Sequence, residues 1–556
     1  MEMNTKAKKQ LPIGKSNFRE FFSEDAPCYF VDKTPYIKKL VENGLFVIPI
    51  NQILRPRHFG RTLILSMLQN FFDKDAPADM RPAFAKLAIG QDKTFCEKYE
   101  NKYPVISITF KDVKGRTKES MLKRMNDALS GECLRHRYVE DVLRSHDSEL
   151  FEKFCEGKAD WNDFKQYLAF LENALYQKTK IRPLVLVDAY DVPLYEANKN
   201  GFFKDVASII SGMFSAGLKD NRDLGGSILL SCLGMAQGEI NSAFYSVTDC
   251  VYAENIGFSE EETMEVLRYY GLDNRMDDVR ANYGGYHIGN CSLYNPDSVM
   301  RFVNDALTDP NVPCRDYQTD TALLRELFAS CATGKYWGLR PTIEKLLCGD
   351  DVPDVRVDKN IDYSTMLDCN DAVLSTLLFS GYLTVVKEQD AGSYTVRIPN
   401  KEVLSCFRSI VTAYNDKQAK KKSPSIIKAL LDGNLCKTEE CVNNLLNSIV
   451  VPQDKDIRGD ATPCFLAGIL ATASIAGWNL LREKGHADFA IINEKKQAII
   501  IDEKLTDDYR EMDKLFDEGA RQMETNAYAE KYEKLHYTLY KYVVVYLDMW
   551  AVIKKV

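Results

Sequence analysis

At 556 residues the chain is too long for one hydrophobic core, and at about 100 to 200 residues per domain it divides into roughly three. Its 45% hydrophobic and 27% charged composition excludes a disordered or low-complexity chain, and a net charge of −8 excludes binding of nucleic acid through the overall field, so such a contact needs a locally basic groove. Fifteen cysteines without a CxxC pair, six histidines without HExxH and an N-terminal MEMNTKAKKQLPIG without an apolar core exclude a zinc hydrolase and a secretory signal, and place the protein in a reducing cytoplasm.

Residues 1–255 alternate strand-like and helix-like runs, the pattern of a parallel sheet covered by helices. Apolar runs at 45–50, 105–110, 184–187 and 227–230 predict strands, and the amphipathic stretches 62–72 and 203–214 predict helices. The first strand is followed by RPRHFGRTLILS, residues 55–66, a loop opening directly into a helix. A phosphate-binding loop needs glycine for close backbone approach, a cation for the β- and γ-phosphates and a hydroxyl for Mg²⁺. Gly60, Arg61 and Thr62 stand in those three places. Downstream, LVLVDAYDVPL at 184–194 is an apolar strand ending in Asp188, which can hold Mg²⁺ through water, whereas the adjoining position, suited to a water-activating Glu, is Ala189.

Residues 256–413 read as mainly helical, starting with FSEEETMEVLRYYG, where Ser259 and Glu262 form a capping-box signature. Runs at 381–386 and 393–398 predict a hairpin. The polar, lysine-rich YNDKQAKKKSPS, residues 414–425, predicts a linker into a last domain, 426–556. There, CFLAGILATASIAGWNLL at 464–481 reads as a buried helix rather than a membrane span, because Thr, Ser and Asn interrupt it. Strands at 487–493 and 497–501, a helical stretch at 508–535 and a strand at 542–547 follow. The hairpin of the first two brings Asp488 close to Asp502 and Lys504, since alternate strand positions share a face. Two carboxylates can hold Mg²⁺ or Mn²⁺ while a lysine orients the attacking water, which is the chemistry of phosphodiester hydrolysis.

Several segments carry a family resemblance: LPIG at 11–14, FVDKT at 30–34, the RPRxFG-type loop, the VDxYDxP strand, YGGYHIG with YNPDSV between 283 and 299, GKYW at 334–337 and IPNKEV at 398–403. The chain resembles AAA-ATPase-like proteins that carry a C-terminal PD-(D/E)XK nuclease domain. That resemblance implies an α/β fold of three parts: an AAA-like P-loop domain, a helical middle region with a hairpin, and a nuclease-like α/β domain. It implies nucleotide contacts by Arg57, Gly60 and Arg61, Mg²⁺ at Thr62 and Asp188, and a supporting acid at Asp191. The family loop usually reads RPRRFGKS/T and the strand DEYD, so His58, Arg61 and Ala189 depart from it at one site, which puts ATP hydrolysis in doubt. In the last domain it implies metal at Asp488 and Asp502, water activation by Lys504, and orienting roles for Gln522 and Tyr528. The functional expectation is a metal-dependent nuclease acting on DNA or RNA, with ATP at a degenerate regulatory site. The alternative is an inactive scaffold binding nucleotide or nucleic acid. Oligomeric state and the polymer cleaved are not legible.

Overall fold

The computed structural model describes residues 8–24, 26–47, 50–233, 256–288, 291–318, 321–330, 339–358, 361–389, 392–447, 478–481, 489–525, 528–547 and 550–556. The chain forms two compact units, one of Met1–Asp320 with Asp351–Leu404, the other of Thr321–Asp350 with Ser405–Val556. The middle region predicted at 256–413 is therefore not a separate body. Its parts distribute between the two units.

The first unit is built on four strands, β1 (Asn51–Leu54), β2 (Val105–Thr109), β3 (Leu184–Asp188) and β4 (Gly226–Ser231), in the order β1-β4-β3-β2 and all parallel. Strands β1, β3 and β4 are buried along their whole length, and β3 and β4 for that reason read as apolar runs rather than as alternations. The first strand is placed differently from the prediction. Residues 45–47 form a turn, and the strand lies later, at Asn51–Leu54. Its polar residues are tolerated because Asn51 Nδ2 donates to the Ser227 carbonyl (3.1 Å) and Gln52 Nε2 to the Tyr190 hydroxyl. Because all four strands run the same way, the loop after β1 and the residues after β3 emerge at one sheet edge, where open parallel sheets place their ligands.

Helix α1 (Arg61–Phe72) follows β1 and buries Ile64, Leu65, Met67, Leu68, Phe71 and Phe72. Helix α2 (Lys118–Arg135) is fixed to β2 through a buried cluster. Glu132 accepts from the Ser107 backbone N–H (2.7 Å) and pairs with Arg135 and His136, and Arg135 also bonds Asp73. Burial pushes the Glu132 carboxyl up, but hydrogen bonds from His136 and Arg135 prevail and hold it down at about 2.

Helices between Glu260 and Thr308, the helix Asn370–Phe379 and two small antiparallel sheets complete the unit: the hairpin β5 (Tyr286–Ile288)–β6 (Cys291–Leu293), and β7 (Val352–Arg356), β8 (Thr384–Glu388) and β9 (Ser393–Arg397) in the order β7-β9-β8. The capping box is present, with Ser259 Oγ accepting from the Glu262 N–H and Glu262 Oε2 from the Ser259 N–H. The predicted hairpin is β8–β9; its partner β7 was not legible. Helix α3 (Pro296–Thr308) is capped by Asn295.

Helix α4 (Lys401–Leu431) begins beside α3. Glu402, buried, accepts from Ser298 Oγ (2.9 Å) and the Tyr317 N–H (2.8 Å). Burial nevertheless raises its carboxyl to about 7. A carboxyl that ionises at 4.5 when unfolded and near 7 when folded binds more protons in the native state between those values, so stability falls as pH rises through that window. The loss amounts to about 3 kcal/mol at 1.36 kcal/mol per unit. Urea melts at pH 5 and pH 8 are expected to show that loss in wild type and a much smaller one in Glu402→Gln; equal losses would remove Glu402 as the cause.

The same helix corrects the predicted linker. Residues 414–425 lie inside α4. Lys, Ala and Gln are strong helix formers, and the lysines are the solvated face of a 31-residue helix. Pro424 sits inside it, and Ser423 Oγ bonds back to the Ala419 carbonyl (2.6 Å).

The second unit contains a five-stranded sheet, β10 (Trp478–Leu481), β11 (Phe489–Asn493), β12 (Gln497–Thr506), β13 (Thr538–Leu547) and β14 (Trp550–Lys555), in chain order. All neighbours are antiparallel except β12 and β13, which run parallel across the connection containing α6 (Met512–Thr525). One face packs on the end of α4 and on α5 (Leu435–Leu446), through Ile499, Ile501, Tyr542, Val544 and Tyr546. The other, with Ala498, Ile500, Val543 and Val545, packs under Phe516 and Met523 of α6. The buried helix predicted at 464–481 is corrected at its end, since Trp478–Leu481 is strand; residues 464–477 lie outside the described residues. Among the described residues, no helix is long and apolar enough to cross a membrane.

Candidate functional site

In the first unit the loop Arg55–Gly60 connects β1 to α1 at the sheet edge where β3 also ends. Gly60 holds a left-handed conformation (φ 83°) immediately before the helix, which a side chain would strain. This turn places Thr62 in the first turn of α1, and Thr62 Oγ1 donates to Asp188 Oδ2 at 2.7 Å. Asp188, buried, also accepts from Thr109 Oγ1 at 3.4 Å. Hydroxyl and carboxylate thus converge from two strands and a helix, the donor pair that an Mg²⁺ ion on a nucleotide requires.

Arg61 is set against the same acids. Burial works against its charge, but Cys232, Asp191 and Asp188 outweigh burial and raise its pKa, while Arg57 opposes them. Its Nη1 is buried without a hydrogen-bond partner among the described residues. A buried guanidinium donor without an acceptor at the start of a helix fits an anionic ligand. Asp191 is fully buried. Its Oδ2 accepts from the Cys232 N–H (3.1 Å) and the Tyr363 hydroxyl (3.0 Å), so it anchors the site's floor instead of facing a water. Arg57 is kept charged although burial opposes it, because Cys232, Tyr363 and Asp191 raise its pKa. Ala189 adopts φ 57° and its N–H bonds the Leu230 carbonyl, so the position after Asp188 offers a methyl group. Burial lowers His58, and Arg57, Arg301 and Arg61 add to this against Asp297, so at neutral pH the permanent cations here are Arg55 and Arg57 of the loop and Arg61 at the helix start.

Beside the loop lies a cavity of about 380 Å³, lined by Pro12–Ser16, Tyr29–Val31, His58–Ile64, Gly257, Phe258, Asp297 and Arg301, among others. The LPIG and FVDKT segments, quoted above only as marks of resemblance, therefore form its walls. Residues of α3 close it, and two of them, Pro296 and Asp297, come from the YNPDSV segment, likewise quoted above only as a mark of resemblance. Phe59, inside the loop, meets Tyr286 edge-on at 4.9 Å, so Tyr286 of the YGGYHIG segment packs against this loop.

In the second unit Asp502 and Lys504 lie on the face of β12 that α6 covers, with a Lys504 Nζ–Asp502 Oδ2 distance of 3.2 Å. Lys504 Nζ also donates to Gln522 Oε1 of α6 at 2.8 Å. Asp502 is only 3% exposed. Gly519 lies over it: a Cβ there would come within 2.7 Å of Asp502 Oδ2, so the glycine leaves room beside the carboxylate. Glu503 points to the opposite face, where the Tyr546 hydroxyl donates to it. Asp488 lies outside the described residues, and so does the side chain of Tyr528. Among the described residues no three His, Cys, Asp or Glu side chains cluster to hold a metal.

A parallel sheet with a glycine turn opening into a helix and a hydroxyl–carboxylate pair beside it is the arrangement of an ATPase-like domain. Residues 12–237 match the family model described as Predicted AAA-ATPase, so the first part of the chain carries a predicted AAA-ATPase-like domain. No curated protein matches the chain.

Proposed function

We propose that the first unit binds a Mg²⁺-nucleoside triphosphate such as ATP and hydrolyses it slowly, acting as a nucleotide-responsive module. The observation behind this reading is the 2.7 Å Thr62–Asp188 hydrogen bond beneath the Gly60 turn. Thr62 and Asp188 would hold the ion, which supplies charge neutralisation of the phosphates. Arg61 offers its buried donor to a phosphate oxygen, but its planar fork differs in reach from the ammonium of a lysine. Arg57 and Asp191 keep the loop and the end of β4 in register. Ala189 stands where an acid would activate water, and Asp191 Oδ2 is tied to Cys232 and Tyr363, so water activation is expected to be weak.

Wild type is expected to turn ATP over barely above the buffer rate, and Arg61→Lys with Ala189→Glu to gain at least about tenfold, a conservative share of the roughly 10²-fold or more that a well-positioned base contributes. Rapid wild-type turnover with no gain in the double variant would end the reading of a degenerate site.

A specific arrangement in the second unit favours a further activity. A sheet of three antiparallel strands with a parallel fourth reached through a helix, bearing Asp502 and Lys504 beneath α6, suits metal-dependent phosphodiester hydrolysis of nucleic acid. In this proposal Asp502 and Asp488 hold Mg²⁺ or Mn²⁺, Lys504 orients the attacking water, and Gln522 fixes the Lys504 ammonium. Tyr528 is proposed to orient the nucleic acid.

A further inference from the structure

The cavity contains a charge that works against the ligand proposed for it. Asp297, the second residue of α3, lines the same cavity as Gly60, Arg61 and Thr62. Its Oδ2 accepts from Arg301 Nε at 2.9 Å and lies 3.6 Å from His58 Nδ1 in the phosphate-binding loop. The carboxylate thus occupies, toward one cation and one imidazole, the place that an anionic ligand group would take. It is about three-quarters buried, so solvent screens it only in part.

We infer that Asp297 is a specificity-determining residue of the nucleotide cavity, discriminating against ligands in proportion to their negative charge. The inference rests on the nucleotide reading of this site. An incoming triphosphate must share Arg301 and the loop with a fixed carboxylate, and each additional phosphate adds repulsion at short range, where Coulomb energies in a partly buried site reach about 1 kcal/mol or more per pair. A nucleoside without phosphate meets no such penalty. Asp297 therefore lowers the preference that the loop cations would otherwise give to the more phosphorylated members of a nucleotide series.

The test is calorimetric titration of full-length protein with adenosine, ADP and a non-hydrolysable ATP analogue in Mg²⁺, for wild type, Asp297→Asn and Asp297→Glu, at low and high salt. Asp297→Asn is expected to tighten the triphosphate analogue about 10-fold and ADP about 3-fold while leaving adenosine unchanged, a graded gain that shrinks in high salt. Asp297→Glu, which keeps the charge, should follow wild type. A gain equal for all three ligands, or none in a protein that still binds them, would overturn the role of Asp297 and leave the nucleotide site standing. If no variant, wild type included, binds any of the three, the nucleotide reading falls and this inference falls with it. Circular dichroism of each variant separates a folding defect from a binding effect.

Discussion

Asp188→Ala is expected to weaken Mg²⁺-dependent nucleotide binding by at least about 100-fold. Asp188 is the point where three elements meet: it ends β3, accepts from Thr62 at the start of α1 and from Thr109 at the end of β2. Removing it deletes the proposed metal-side carboxylate and leaves Thr62 Oγ1 without its acceptor, and it takes from buried Arg61 one of the acids that sustain its charge. An ion of this kind contributes several kcal/mol, so a loss of about 3 kcal/mol, or 100-fold, is a conservative expectation. Asp188→Asn preserves volume and is expected to lose most of the same affinity at little cost in stability. If titrations with and without Mg²⁺ show the same affinity for wild type and both variants, the Thr62–Asp188 pair is a structural bond alone.

The second large effect is expected at β12. If the proposed phosphodiester chemistry operates, Asp502→Asn should reduce cleavage of labelled DNA and RNA in Mn²⁺ by about 10³-fold or more, because it removes a metal-holding charge. Lys504→Ala should do likewise while leaving metal affinity nearly intact, since its Nζ bonds Asp502 and Gln522 and is proposed to act on water. Gly519→Ala is the discriminating variant. Its methyl group would meet Asp502 Oδ2 at 2.7 Å and Val543 beside it, so it should impair cleavage by displacing the carboxylate without changing any charged residue. Cleavage that survives all three substitutions would come from elsewhere, including a contaminant.

Much of the first unit was legible because a buried parallel strand needs continuous apolar residues, and 105–110, 184–187 and 227–230 supply them. The first strand was misplaced because LFVIPI looks more strand-like than NQIL. What makes Asn51 and Gln52 acceptable inside a sheet is hydrogen bonding to Ser227 and Tyr190, partners more than 130 positions away that no local pattern reveals. The lysine-rich stretch misled for another reason: solvated lysines serve a linker and the outer face of a long helix equally well. At the candidate site, Thr62 and Asp188 come together as the loop and strand motifs require. The cavity walls do not follow from those motifs, because residues 12–16 and 296–301 reach the loop only through tertiary packing. In the second unit, alternation along β12 correctly separates Asp502 and Lys504 from Glu503. The burial of Glu503 against Tyr546 required the structure.

A site lacking the usual lysine and water-activating acid is proposed still to bind a metal-nucleotide. Titration of the full-length protein with a non-hydrolysable ATP analogue, with Mg²⁺ and then with EDTA, tests it most directly. Saturable one-to-one binding that EDTA weakens and Asp188→Ala removes is the result predicted. No binding by a folded wild type, or binding indifferent to both EDTA and Asp188, would contradict it.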